Sequence, residues 1–416
     1  MDATTFDPSA GREFIARVQS LARHSDSTAH YTRTYLGPAH RAAALQIAAW
    51  MREAGMSVRV DSVGSVIGRY EAAAPGAKTL LMGSHFDSVR NGGKYDGVLG
   101  ILVPVACVAR LHQAGERLPV ALEVAAFADE EGARFQTSFL ASRAMIEGAR
   151  ALAPLLERRD ADGIALSEAM REAGLDPARA DRDRIDPAAL AAYVEVHIEQ
   201  GPVLLNEGRA LGVVTSIAAG TRHLLRVRGE AGHAGTVPMQ LRHDALAAAA
   251  EMLLALERHA LAGALVATVG ILKVKEGTGN VIPGEVEFTA DVRAPDGATL
   301  AAAREAMFAE CHAIAKRRGV ALGIEMTHEV QSAPCAQHLQ ERIAASIERV
   351  LPGAKARRLA SGAGHDAMIL AQVADVGMMF VRCGAGGVSH NPAETVTAED
   401  AALAIAALLD FLRRYA

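Results

Sequence analysis

The chain has 416 residues and a formal net charge of −5 at pH 7, with half of its residues hydrophobic and only 4% aromatic. This length is too great for one ordinary domain and predicts two, with a core made mainly of Ala, Val, Leu and Ile. The charge is spread over mixed acidic and basic residues without a long basic run. Nucleic acid and an anionic membrane surface are therefore not expected as partners.

The first residues, MDATTFDPSAGREF, lack the basic start and apolar stretch of a signal peptide. The longest apolar run, Val98–Ala109, contains a proline and is too short to span a bilayer. The four cysteines are scattered along the chain, without the CxxC spacing of a structural zinc site. They are Cys107, Cys311, Cys335 and Cys383. We expect buried, reduced thiols and a cytoplasmic location.

The first half of the chain alternates between helical and strand-like patterns. We predict helices over 38–55 and 97–114, and strands over 58–70, 78–84 and 120–132. Such alternation is typical of a largely parallel α/β sheet. In these sheets the chemistry collects at the carboxyl ends of the strands.

The pattern changes at residue 212. Strands are predicted over 212–230, 264–274, 285–294 and 320–330, with helices over 241–260 and 298–319. This β-α-β-β-α-β order is that of a ferredoxin-like α+β domain. We therefore predict an inserted domain at 212–330, with residues 1–211 and 331–416 forming the α/β domain around it.

One segment, LLMGSHFDSVRNGGKYDG at 80–97, places an imidazole and two carboxylates around a glycine-rich turn. A phosphate-binding loop is excluded because Tyr95 follows the Gly-Gly-Lys where Ser or Thr is required. His85 and Asp87 alternate along a strand and should share a face, so that the carboxylate supports a metal-binding imidazole. Asp96 lies beyond the turn, and its carboxylate could bridge two cations.

Further donors follow other strand-like runs: Glu130 and Glu131 in FADEEGARF, His197 in VEVHIEQGP and His390 in GGVSHNPAE. Taken singly, each is more often a structural histidine or a solvated carboxylate. Together with His85 and Asp96, they supply enough ligands for two near-tetrahedral sites suited to zinc or a similar divalent ion.

Six motifs carry a resemblance to the hydantoinase/carbamoylase amidase family, within the dinuclear-metal peptidase and deacylase superfamily. They are GSHFDSVRNGGKYDGVLG, FADEEGARF, VEVHIEQGPVL, GHAGTVPM, SGAGHDAM and GVSHNPAE, and they run in order along nearly the whole chain. The resemblance implies a metallopeptidase-like catalytic α/β domain with a mainly parallel mixed sheet, and an inserted lid and dimerisation domain.

The resemblance also implies two divalent metal ions per chain, Zn²⁺ or Mn²⁺, with Co²⁺ and Ni²⁺ also compatible. His85, Asp96 and His197 would hold one ion. Asp96, Glu131 and His390 would hold the other, and Glu130 would be the general base.

Within the inserted domain, the resemblance makes His233 the residue that stabilises the oxyanion. Asn280 and Arg293 would bind a substrate carboxylate, for which the guanidinium fork is well suited. A surface ion pair remains the alternative for Arg293. Gln200 and Gly364 are further predicted substrate contacts, and Gln200 could instead cap a turn. His365 could shape the pocket or cap the following helix.

The implied reaction is hydrolysis of an N-carbamoyl (ureido) carboxylate, with allantoate as the first candidate. N-carbamoyl-L-amino acids are the alternative, because family members that act on them share nearly every catalytic residue. An exopeptidase or deacylase, and a catalytically inactive carboxylate-binding protein, are further hypotheses. The resemblance also implies a homodimer.

Overall fold

The structure, a computed structural model, describes residues 6–415. It divides the chain into two compact units. Unit 1 comprises the residues up to Thr215, Cys335–Leu359 and the residues from Gly364 onward, whereas unit 2 comprises Ser216–Pro334 and Ala360–Ala363. Among residues 6–415, no helix combines the length and the apolar character needed to cross a membrane.

The strands, in chain order, are β1 (Ser57–Val60), β2 (Val66–Tyr70), β3 (Thr79–His85), β4 (Ala121–Phe127), β5 (Leu190–Ile198), β6 (Leu211–Ile217), β7 (Ala219–Arg228), β8 (Gly232–His233), β9 (Val266–Thr268), β10 (Leu272–Val274), β11 (Val281–Ile282), β12 (Glu285–Ala294), β13 (Ala321–Val330), β14 (Ala333–Pro334), β15 (Arg357–Ser361) and β16 (Val376–Val381). The α-helices are α1 (Pro8–Leu21), α2 (Pro38–Glu53), α3 (Val98–Gln113), α4 (Leu140–Glu147), α5 (Ala149–Leu152), α6 (Leu166–Glu172), α7 (Val203–Asn206), α8 (Ala245–Ala262), α9 (Gly297–Arg318), α10 (Gln337–Val350), α11 (Asp366–Leu370) and α12 (Ala398–Arg413).

The large sheet has the strand order β1-β2-β4-β3-β5-β16-β6-β14, with β15 beside β6. Its centre is parallel, because β3 pairs in parallel with β4 and β5, and β16 pairs in parallel with β5. The outer strands are antiparallel. The predicted α/β class with a mainly parallel mixed sheet is confirmed.

Helix α3 shows why the centre of this sheet is buried. The helix is apolar on nearly all sides, as expected of a helix without a solvent face. It packs on β3 and β5 and against α12. The chain enters α3 through Gly97, whose φ of 67° lies in the left-handed region that favours glycine. This tight entry places Asp96 directly before the helix.

Unit 2 contains a five-stranded antiparallel sheet with the order β10-β12-β7-β13, and β9 also pairs with β12. One face of this sheet packs against α8 and α9 around a core that includes Leu225, Met252, Phe288 and Met307. The elements follow the β-α-β-β-α-β order.

Some predicted strands prove to be two strands. The predicted strand over 58–70 is wrong because the Asp61 carboxylate accepts hydrogen bonds from the N–H groups of Val63 and Ser65, and Gly64 has a φ of +89°. The resulting turn folds the segment into the β1–β2 hairpin. The segment 212–230 breaks at Ala218, where the backbone N–H donates to the Ser361 carbonyl, and 264–274 divides into β9 and β10.

Candidate metal centre

The predicted ligands lie together where the parallel strands of unit 1 end. His85 is the last residue of β3, His197 lies near the end of β5, Glu130 and Glu131 follow β4, and His390 follows β16. Within residues 6–415, four groups of three side chains have possible ligand atoms within 4.8 Å of one another: His85–Asp96–His197, Asp96–Glu131–His390, His85–Glu130–Glu131 and Glu195–His197–His365. The first two are the two ligand sets that the sequence predicts.

Asp96 lies at the centre of this cluster, and three imidazoles face its carboxylate. Its Oδ1 is 3.2 Å from Nε2 of His197 and 3.7 Å from Nε2 of His85. Its Oδ2 is 3.2 Å from Nε2 of His390, which in turn is 3.4 Å from Oε1 of Glu131. One carboxylate therefore contacts ligands of both predicted sets, as a bridging residue would.

The other ring nitrogens establish which histidine atoms can bind a cation. Nδ1 of His197 lies 2.9 Å from the Ile198 carbonyl, and Nδ1 of His85 lies 3.1 Å from the Asp87 carbonyl. A carbonyl oxygen can only accept a hydrogen bond, so Nδ1 of both rings carries the hydrogen. In the neutral rings, Nε2 then has a free lone pair that can bind a cation. These lone pairs face Asp96 Oδ1, a buried oxygen without a hydrogen-bond partner.

This arrangement fits a divalent metal ion. Bare imidazole nitrogens and a carboxylate oxygen repel one another unless positive charge lies among them, and they are ligands that zinc and manganese accept. Each Nδ1–H is oriented by an oxygen acceptor, as is usual for metal-binding histidines. The residues present therefore match the group that the sequence predicts.

The pKa shifts show the same demand for positive charge. The contact with Asp96 raises the pKa of His390 to about 9, although burial opposes the rise. Burial would raise the pKa of Asp96, but His197, His390 and His85, in their protonated forms, would hold it well below its ordinary value when no metal ion is bound. Burial, followed by the charge of Asp96, raises the pKa of Glu131 to about 7. Protons and metal ions compete for such groups.

Asp87 links the end of β3 to the loop after β4. Its Oδ1 lies 3.4 Å from Nδ1 of His85, and its two carboxylate oxygens accept hydrogen bonds from the N–H groups of Glu130 and Glu131 at 3.1 and 3.2 Å. This side chain is almost completely buried. It therefore orients one predicted ligand and the backbone of two further site residues.

Glu130 is buried beside the ligands, within the group that it forms with His85 and Glu131. Burial raises the pKa of its carboxyl group well above the ordinary value. His85 opposes this rise, and Glu131 and Asp366 add to it. A carboxylate with a raised pKa and no fixed cationic partner is suited to accept a proton and return it.

The two predicted substrate contacts of unit 1 show different environments. Gln200 donates from Nε2 to Asp96 Oδ2 at 3.0 Å, while its Oε1 is buried without a partner. Its φ of 56° is unusual for a residue with a side chain. At Gly364, an added Cβ would lie 2.7 Å from Cζ of Phe139, so packing alone accounts for a glycine there.

His233 and Asn280 are neighbours in unit 2. β8 pairs with β11, and the Ala234 N–H donates to the Asn280 carbonyl at 2.9 Å. Nδ1 of His233 accepts a hydrogen bond from the Gly235 N–H at 3.0 Å. In the neutral ring the hydrogen must then lie on Nε2, so the exposed His233 offers a hydrogen-bond donor.

Arg293 is already engaged within unit 2. Its Nε and Nη2 donate to the two carboxylate oxygens of Asp291 at 2.8 and 3.3 Å, and its Nη1 donates to the Gly362 carbonyl. Asp291 also accepts a hydrogen bond from Arg222. The ion pair that the sequence left open is therefore present, and it fixes the orientation of the guanidinium group.

The sequence reasoning missed a network behind His197. Glu195 is fully buried and accepts hydrogen bonds from Ser84 Oγ, Tyr193 OH and the Ala367 N–H. The His365 ring lies 4.4 Å from the His197 ring, centroid to centroid, and makes no side-chain cap to α11. His365 does occupy the N-cap position of α11, but through its backbone and not through a side-chain hydrogen bond. Alternation along β5 could have identified Glu195, since residues 195 and 197 share a face.

A second omission is Glu394, in the same segment as His390. Its carboxylate accepts hydrogen bonds from the N–H groups of Tyr95 and Asp96 at 2.9 and 3.1 Å, and from Ser389 Oγ at 2.9 Å. The motif GVSHNPAE contains this residue, but nothing in the sequence indicates which loop it contacts.

Comparisons with known proteins identify the family of this chain. The profile of Peptidase family M20/M25/M40 matches residues 77–414. An allantoate deiminase from Arabidopsis thaliana is 39% identical, with 96% of this chain and 81% of that protein covered. An N-carbamoyl-L-amino acid amidohydrolase from Geobacillus stearothermophilus is 43% identical, with 86% of each covered.

Among solved structures, a hydantoinase/carbamoylase family amidase from Burkholderia multivorans superimposes with a TM-score of 0.89 at 32% identity and covers 97% of both chains. The resemblance stated from the sequence motifs is confirmed. The chain belongs to Peptidase family M20/M25/M40, and its near relatives are hydantoinase/carbamoylase amidases.

Proposed function

We propose that this protein is a metal-dependent amidohydrolase that cleaves the C–N bond of an N-carbamoyl (ureido) carboxylate, with allantoate as the first candidate substrate. The family and the named relatives make the chain a hydrolase of carbon–nitrogen bonds other than peptide bonds, as predicted. The observation that carries the proposal is the convergence of three imidazoles on Asp96 beside the buried Glu130.

In the proposed site, His85, Asp96 and His197 hold one divalent ion, and Asp96, Glu131 and His390 hold the other. The bound ions would polarise the scissile carbonyl and lower the pKa of the attacking water. Zinc and manganese both suit this donor set, and cobalt and nickel are compatible.

Glu130 is proposed as the general base. Asp87 holds the backbone N–H of Glu130 and so fixes where its side chain starts. The carboxylate takes a proton from water during attack on the carbonyl carbon. It then returns this proton to the departing nitrogen as the C–N bond breaks. Breaking this one C–N bond releases one nitrogen product and leaves a carbamic acid. The carbamic acid then decomposes with loss of carbon dioxide, which breaks the second C–N bond, so the final products are the amine, ammonia and carbon dioxide.

His233 is proposed to donate from Nε2 to the developing oxyanion, a role supported by the Gly235 N–H that occupies its Nδ1. Asn280 and Arg293 are proposed to bind the substrate carboxylate. Asp291 already occupies Nε and Nη2 of Arg293 and the Gly362 carbonyl occupies Nη1, so a substrate carboxylate would bind through the remaining N–H groups or replace these partners. The buried Oε1 of Gln200 could accept a hydrogen bond from a ureido N–H. Gly364 remains a predicted contact.

N-carbamoyl-L-amino acids are the second candidate substrates. The relative named for them is more identical to this chain than the allantoate deiminase, although it aligns with less of the chain. Both substrates carry a ureido group and a carboxylate, so the proposed catalytic residues serve either one.

The test is ammonia release by protein reloaded with zinc or manganese, given allantoate or a series of N-carbamoyl-L-amino acids. Faster turnover of allantoate at equal concentration supports the first candidate, and turnover of the amino acid derivatives alone supports the second. Cleavage of dipeptides or N-acyl amino acids without ureido hydrolysis would replace both. Two bound ions without any turnover would favour a binding protein.

A homodimer through unit 2 is also proposed. The face of α8 opposite the core exposes Leu254 and Leu261, the latter by 82%, and the neighbouring strands β9 and β10 expose Val266 and Leu272. Among the described residues, β9 and β10 pair only with β12, so their other edge is available. An apolar, unpaired sheet edge is a typical surface for association.

Light scattering tests the dimer at micromolar concentration. Leu261→Lys should reduce the mass to that of a monomer. The control is Leu45→Lys on α2, because Leu45 is 74% exposed in unit 1. A monomeric wild-type protein would exclude the dimer.

A cytoplasmic location is also proposed. The buried cysteines, Cys107, Cys311, Cys335 and Cys383, are free thiols, as is usual for proteins of that compartment.

A further inference from the structure

The glycine-rich segment 91–97, NGGKYDG, is folded around a carboxylate of the chain itself. The N–H groups of Tyr95 and Asp96 both donate to Oε1 of Glu394, at 2.9 and 3.1 Å. At Gly93, an added Cβ would lie only 2.1 Å from Cδ of Glu394. Successive backbone N–H groups in a glycine-rich turn commonly bind anions, and here the anion is the side chain of Glu394.

The second oxygen of Glu394 faces the segment that carries His390. Oε2 accepts a hydrogen bond from Ser389 Oγ at 2.9 Å, and the same hydroxyl lies 3.1 Å from Asp96 Oδ2. The Glu394 N–H donates to the Asn391 carbonyl, which closes a turn just after His390. One carboxylate therefore contacts both the Asp96 loop and the turn that carries His390.

His390 depends on such support more than the other proposed ligands do. Its side chain is half exposed and its φ is 53°, a conformation that residues with a side chain rarely adopt. His85 and His197, in contrast, are buried residues within β3 and β5. The sheet fixes those two positions, whereas a loop fixes that of His390.

We infer that Glu394 is a positioning residue that fixes Asp96 relative to His390, and thereby shapes the ion site formed by Asp96, Glu131 and His390. The inference rests on the proposed metal centre. It adds a specific asymmetry: loss of the Glu394 carboxylate should weaken this site more than the site formed by Asp96 with His85 and His197.

The test is calorimetric titration of the apoprotein with Co²⁺, with the visible absorption spectrum recorded at each addition. Wild-type protein should bind two ions. Glu394→Gln should bind one of them about 10–100-fold more weakly, the usual effect of removing a group that orients a metal ligand. The absorption bands of that ion should change, while those of the other ion remain.

The matched control is Asp61→Asn. The buried Asp61 carboxylate also accepts two backbone N–H bonds in a turn, from Val63 and Ser65, but it contacts no proposed ligand. This variant should bind both ions as the wild-type protein does. Equal weakening in both variants would mean that general destabilisation, rather than the position of Glu394, is responsible.

If Glu394→Gln does not fold, Ser389→Ala decides the question, because it removes only the hydroxyl that lies between Glu394 and Asp96. It should weaken the same ion by a smaller factor. Wild-type affinity and spectra in Glu394→Gln, or in Ser389→Ala where that variant decides, overturn this inference alone. A wild-type protein that binds no ion overturns the metal centre itself.

Discussion

The two sheets of this protein use charged residues in opposite ways. In unit 2, arginines on β7 pair with carboxylates on β12 across the exposed face of the sheet, as in Arg222–Asp291, Arg226–Glu287 and Arg228–Glu285. Each charge there has a partner of opposite sign as well as contact with water. Such pairs contribute little to stability, because water and salt screen them.

In unit 1, besides charged residues on the surface, buried carboxylates lie within the strands of the large sheet or just beyond them. They include Asp87, Asp96, Asp129, Glu130, Glu195 and Asp366. No lysine or arginine is paired with any of these six in the described part of the chain. A buried carboxylate needs a cation, a proton or several donors. Asp87 and Glu195 each have several donors, whereas three imidazoles face the carboxylate of Asp96, an arrangement that fits a cation. The contrast shows that residue type alone does not reveal function.

The largest expected effect comes from removing one of these buried charges. Glu130→Gln keeps the shape of the side chain but removes the proton acceptor, so kcat/KM should fall by about 10²–10⁴-fold. Metal content, measured by elemental analysis, should remain that of the wild-type protein. The control is Glu285→Gln in unit 2, which should keep full activity. Near-normal turnover in Glu130→Gln would show that another group is the base.

Metal removal should destabilise the large sheet of unit 1 and leave the sheet of unit 2 unaffected. A ligand that binds only the folded state at 100 times its Kd stabilises that state by about 2.7 kcal/mol. A chelator should therefore lower the free energy of unfolding by an amount of this order for each ion lost. Hydrogen exchange should quicken at the ends of β3 and β5 and in segment 91–97, and remain unchanged in β7 and β12. Equally faster hydrogen exchange in both sheets would mean that the metal ions do not stabilise the strand ends of unit 1 specifically.

The sequence could predict the proposed metal ligands but not the residues that position them. His85, Asp96, Glu131, His197 and His390 could be predicted because strand ends meet at one edge of a parallel sheet, and recognisable motifs lie at those ends. The direction of each strand is enough to predict that these residues lie close together. The structure brings the other four together around Asp96.

Glu394 could not be predicted, because its partners Tyr95 and Asp96 lie in a distant part of the chain. Nothing local indicates that the two loops meet. The splitting of segment 212–230 has a related cause. Its alternating pattern continues through Ala218, where the chain passes from one sheet to the other and the N–H donates to the carbonyl of Ser361, far along the chain. Patterns report a local conformation, whereas these features depend on contacts between distant segments.

A smaller effect, on stability, is expected from replacing Arg33, a fully buried cation whose side chain donates hydrogen bonds to backbone carbonyl groups. Its Nε donates to the Phe86 carbonyl at 2.6 Å and its Nη1 to the Leu21 carbonyl at 3.1 Å. Arg33→Met fills similar space but leaves the Phe86 carbonyl without this donor, while the Leu21 carbonyl keeps the His24 N–H. An unsatisfied buried group costs about 1–3 kcal/mol, so urea unfolding should show a loss of this order. Unchanged stability would mean that water replaces the guanidinium group.

The smallest effect is expected on the exposed face of unit 2. Glu287→Gln removes the ion pairs of Glu287 with Arg226 and Lys275. Arg226 retains Glu325, at 2.8 Å, and all of these groups contact solvent. The midpoint of urea unfolding should therefore stay within error of the wild-type value, at low and at high salt. A loss as large as that from Arg33→Met would mean that these pairs form a cooperative network, and the contrast between the two sheets would then fail.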